Sequence, residues 1–154
     1  MMMMRWITTA IVAAAVALAP AWGSAADKSA SKMPSGDRKF VMEALKGGMA
    51  EVELGKLASE RASNDAVKQF GKRMADDHGK AGEELKKLAQ GKGLTPPTEL
   101  DGKHARLRDK LAKLSGADFD RAYVNEMVKD HKKDVKEFQR EAEKAKDPDV
   151  KSFA

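Results

Sequence analysis

Two of the three histidines in this 154-residue chain, His78 and His131, are its side chains best suited to chemistry, because they sit in an internal echo. FGKRMADDHGK at 70–80 and YVNEMVKDHKK at 123–133 share an aromatic residue, a Met four positions on and Asp-His-x-Lys, 53 residues apart. Imidazole ligates iron, zinc, copper or nickel when its second nitrogen is held by a partner. A carboxylate must complete such a set, and Glu51 is the best placed, with Asp77 and Asp130, each directly before its histidine, as orienting groups. The chemistry implied is the holding of one divalent transition ion, iron or another, by Glu51, His78 and His131. The competing account makes both histidines half-buried, hydrogen-bonded residues of a helical core, since buried polar groups usually just find partners. Duplication of a helix would also produce the echo.

Other chemistries have less behind them. The chain has no Cys, so it has no thiol nucleophile, thiolate metal site or disulfide framework. Ser35, Ser59, Ser63 and Ser115 lie near helix ends or on a stripe, with no strand-turn-helix elbow around them. Gly91 and Gly93 follow a helical stretch, not a strand, and form no phosphate loop. Met74 and Met127 read as core fillers and His104 as a structural residue at a seam edge. The reading leans away from an enzyme.

The elements that must position the histidines are helical: Ala, Leu, Lys and Glu dominate from Asp37 onward and no stretch alternates with period two. One helix is expected over 37–62 on the stripe Val41, Leu45, Gly48, Val52, Gly55 and Ser59. Gly47-Gly48 and Gly55 there suggest close approach of a neighbour. Ser63-Asn64-Asp65 turns the chain and caps a second helix over 65–90, whose seam runs Val67, Gly71, Met74, His78, Ala81, Leu85 and Leu88. Gly91, Gly93 and Thr95-Pro96-Pro97 end it. A shorter helix is expected over 99–114, and a third long one over 117–146 on Val124, Val128, His131, Val135, Phe138 and Ala142. Asp147-Pro148 opens a fourth helix, and the sequence ends six residues later at Ala154. The fold class predicted is all-α: a four-helix bundle of up-down helices with one extra short helix and the fourth incomplete. A surface left uncovered by that incompleteness would favour a homo-oligomer.

Ahead of this domain, Arg5, the apolar run 7–19 and Ser24-Ala25-Ala26 read as a cleavable secretory signal over 1–26, containing both tryptophans, Trp6 and Trp22. Residues 27–36, small and polar, read as a flexible linker, and 37–154 as the helical domain. The address implied is the periplasm or cell envelope. Cleavage after Ala26 removes Arg5 and leaves 28 basic residues against 24 acidic ones. So mild and interleaved an excess argues against nucleic acid as a partner and for solvated helix faces.

The stretches MAEVELGKLASERASNDAVKQFGKRMADDHGKA, LDGKHARLRDKLAKLSGADFDRAYVNEMVKDHKKDV and DPDVKSFA resemble the domain of unknown function 4142 family. The resemblance covers about 37–154. It implies a secreted bacterial protein with a ferritin-like helical bundle, of the group called predicted outer membrane proteins, and it implies envelope association without naming an activity. The Glu-x-x-His step of di-iron ferritins is absent, since Ala75 and Val128 stand three residues before the two histidines. Two functions stay open: an envelope binding or stress protein with no catalysis, and a transition-metal protein built on Glu51, His78 and His131.

Overall fold

A computed structural model describes residues 33–154; the expected leader, both tryptophans and the linker up to residue 32 lie outside the described residues. Five helices follow one another: α1 Ser35–Arg61, α2 Asp65–Gly91, α3 Gly102–Ala112, α4 Gly116–Lys144 and α5 Pro148–Phe153. Their ends fall at the punctuation in the sequence. Asn64 caps α2 by accepting from Ala66 N, Asp101 caps α3 through Lys103 N and His104 N, and Asp147 caps α5 through Asp149 N and Val150 N, with Pro148 in the first turn. Gly93, at φ +73°, turns the chain after α2, returning its own N–H to Gln90 O and that of Leu94 to Ala89 O.

α1 and α2 form an antiparallel hairpin whose closest approach is at Gly55 and Gly71. A Cβ at Gly55 would stand 2.6 Å from Gly71 O and 2.8 Å from Ala75 N, and one at Gly71 would stand 2.7 Å from Gly55 O. The expectation that Gly47-Gly48 also marks a close approach fails, because a Cβ on either meets no atom within 4 Å.

Two buried carboxylates fix α4 against this hairpin, one at each end. Asp120, in the first turns of α4, accepts from Ser63 N (3.0 Å), Ser63 Oγ (2.5 Å) and Asn64 N (2.9 Å). At the opposite end, Asp37 of α1 accepts from Lys146 N (2.9 Å) and Asp147 N (2.6 Å) in the corner between α4 and α5. α4 therefore runs antiparallel to α1 and parallel to α2, and the segment holding α3 carries the chain back along the bundle between them.

The buried face of α4 is Phe119, Tyr123 and Met127, rotated one position from the stripe expected. Val128 and Val135 are exposed, at 48% and 54%. Both stripes are apolar at helical spacing, and the aromatic one removes more area from water.

The core is split. One apolar cluster gathers Phe40, Val41, Leu45, Leu85, Ala89 and Val150 at the α5 end; the other gathers Leu54, Ala58, Leu111, Phe119, Tyr123 and Met127 at the α3 end. Between the two lies the layer that contains Glu51, His78 and His131. Among the described residues no helix is long and apolar enough to cross a membrane.

Candidate metal centre

Glu51 projects from the middle of α1 into this interior layer and is only 4% exposed. The sequence singled it out as the carboxylate best placed to complete the set. Burial of a carboxylate is costly unless it is paired, and both histidines of the echo meet it. His78 Nδ1 lies 2.7 Å from Glu51 Oε2, and His131 Nδ1 lies 3.4 Å from Glu51 Oε1. The two rings stand edge to face with centroids 5.5 Å apart. One ligand atom from each of Glu51, His78 and His131 falls within 4.8 Å of the others.

The hydrogen bonds assign the protons. A carbonyl only accepts, so His131 Nδ1 donates to Met127 O at 2.9 Å, one turn back on α4. That hydrogen is thereby turned from Glu51 Oε1, which is buried without a hydrogen-bond partner. His78 Nδ1 donates to Oε2, and this hydrogen bond holds the His78 pKa above the ordinary imidazole value, more than burial depresses it. Neither Nε2 has a hydrogen-bond partner among the described residues, and on a neutral ring with Nδ1–H it is the nitrogen that carries the lone pair. Nearby, Tyr123 is fully buried with its hydroxyl unpartnered. Burial, and then the Glu51 charge, push its phenol well above the usual range.

The residues expected to orient the rings do not do so. Asp77 is exposed, and the group that meets His78 is Glu51. Asp130 lines a cleft beside the site without bonding His131, whose Nδ1 is held by the Met127 carbonyl. An Asp directly preceding a His on a helix points about 100° away from it, so contact within the pair is disfavoured. Asp134, passed over in the sequence, lines the same cleft one turn beyond Asp130; its spacing of three from His131 was the available signal. Burial raises the pKa of both aspartates, with Glu126 the next cause for Asp130 and Glu51 for Asp134. His104 faces the cleft too, its Nδ1 2.9 Å from the capping Asp101.

The family model described as Domain of unknown function (DUF4142) matches residues 23–154. The chain belongs to the DUF4142 family. No curated protein and no solved structure matched it in the same comparisons. Membership of DUF4142 carries no activity with it, so what this DUF4142 chain does has to be argued from its own site.

Proposed function

We propose that this protein is exported to the periplasm or cell envelope and there binds one transition-metal ion through Glu51, His78 and His131. The observation that carries the reading is the buried carboxylate of Glu51, its Oε1 without a hydrogen-bond partner among the described residues, in a group where one candidate ligand atom from each of Glu51, His78 and His131 lies within 4.8 Å of the others. A mixed imidazole and carboxylate set suits iron(II), zinc, copper(II) or nickel. Three protein donors would leave room for water or another small donor on the ion. The chain's own contribution is positional. Glu51 Oε2 holds the His78 ring and the Met127 carbonyl holds the His131 ring, while the apolar clusters on either side keep the layer from collapsing. The role assigned is binding and not catalysis, since the two ferritin-type carboxylates are replaced by Ala75 and Val128.

The reading is tested by metal analysis of protein purified from a periplasmic extract, alongside the double variant His78→Gln, His131→Gln. One equivalent of metal in the parent and none in a variant of unchanged helicity is expected. A metal-free parent that takes up no iron, zinc, copper or nickel on titration would defeat the reading. An intact mass lacking residues 1–26, with no tryptophan emission, is the corresponding expectation for export.

A further inference from the structure

A cleft of about 340 Å³ opens from the Glu51 layer and runs toward the α5 end of the bundle. Its wall on α1 and α2 includes Gly47, Gly48 and Gly82. A glycine inside a helix costs about 1 kcal/mol relative to alanine, and it is normally explained by a left-handed φ or by a neighbour packed against it. Neither holds here. Among the described residues only Gly93 and Gly116 have positive φ, and a Cβ on Gly47, Gly48 or Gly82 meets nothing within 4 Å. What these glycines provide is width.

The two ends of the cleft differ in chemistry. From Glu51 to Phe40 along α1 is eleven residues, about 16 Å. The Phe40 end is closed by Leu85, Phe138 and Phe153, with Phe40 and Phe138 edge to face at 5.0 Å. The lining also carries charged groups: five carboxylates face two lysines and three histidines over the whole cleft, with Glu51, Asp130 and Asp134 toward the Glu51 end. Lys133 is shared between Asp134 (3.9 Å) and Glu137 (3.4 Å), and Glu51 Oε1 has no hydrogen-bond partner although the residue is 4% exposed. A buried acceptor of this kind calls for a donor, and the surplus of carboxylates calls for a positive one.

We infer that the cleft binds an organic cation with an unbranched apolar tail, its ammonium donating to Glu51 Oε1 beside Asp134 and its tail lying along Gly47, Gly48 and Gly82 to the phenylalanines. The inference draws on the same unpartnered Glu51 oxygen as the metal reading, so an ion and an ammonium would compete for it, and octylamine binding to the metal-free protein is read separately from metal uptake.

The test is calorimetric titration of the metal-free protein with octylamine, hexylamine, octanol and octanoate. Octylamine should bind saturably and at least tenfold more tightly than octanol. Hexylamine should bind roughly fifteenfold more weakly than octylamine, from about fourfold per buried methylene. Octanoate should show no saturable binding. Gly48→Leu, whose Cβ meets nothing within 4 Å and whose longer side chain extends into the cleft that Gly48 lines, should weaken octylamine at least tenfold while the protein stays folded by its helical melt. The inference is overturned by octanoate binding as tightly as octylamine, by no tail-length dependence, or by octylamine failing to saturate. A folded Gly48→Leu protein that binds octylamine undiminished would overturn it as well. The ligand series decides the matter without any variant.

Discussion

His78 Nδ1 donates to Glu51 Oε2 at 2.7 Å across the α1–α2 interface, so a half-buried imidazole is held by a carboxylate that is almost fully buried. Removing the charge while keeping the shape should therefore change the ring's titration. In Glu51→Gln the His78 pKa is expected to fall, because its largest raising cause is lost and burial is left to depress it. Histidine side-chain NMR across pH 5–9 would show this; an unmoved His78 curve would mean that the contact is not formed in solution.

The same shift has a sign in stability. A histidine whose folded pKa exceeds its unfolded value stabilises the fold fully below about 6.5, and that contribution is lost as pH rises through the folded pKa. Asp130 and Asp134, also raised, act in the same direction, favouring the protonated fold until they ionise. Asp101 and Asp120, lowered by the N–H and hydroxyl groups bonded to them, contribute above about 3.9 and lose that contribution as pH falls through their folded values. Thermal melts should be highest between about pH 4 and 6.5, with losses toward pH 8 and below about pH 3.5. A melt that rises steadily from pH 6 to 8 would contradict the assignment.

The glycines divide into two kinds that a single substitution separates. Gly55→Ala places a Cβ 2.6 Å from the Gly71 carbonyl oxygen and should cost about 1 to 3 kcal/mol by forcing the hairpin apart. Gly48→Ala meets open space and should stabilise by about 0.5 to 1 kcal/mol. Urea unfolding of the two variants measures both, and equal effects would show that the hairpin does not close at Gly55.

Asp37 ties the start of α1 to the α4–α5 corner. Asp37→Ala would leave the N–H groups of Lys146 and Asp147 without their acceptor, at about 2 to 3 kcal/mol for bonds to a buried charge. Hydrogen exchange should show α5 opening first, with the Ser63–Asp120 end of the bundle unchanged.

Much of this was legible in the sequence because its signals are local. Asn64, Gly93 and Asp147-Pro148 act within one turn of chain, and the helix boundaries followed from them. The echo around His78 and His131 picked out two residues of the central layer, and Glu51 joined them as the best-placed carboxylate. What escaped was rotational and mutual. Val124, Val128 and Val135 made as good a stripe as Phe119, Tyr123 and Met127, and only the facing helices decide between them. Gly48 and Gly55 look alike along the chain, yet Gly55 meets a backbone and Gly48 meets a void, a difference set by the partner helix.

The central claim is that Glu51, His78 and His131 act together as one ion site. Titrating zinc into the metal-free protein and following the three histidine side chains by NMR tests it most directly. The His78 and His131 resonances should move together and stop at one equivalent, with His104, held at its own cap by Asp101, changing far less. Three histidines drifting in parallel without saturation, or none moving, would contradict it.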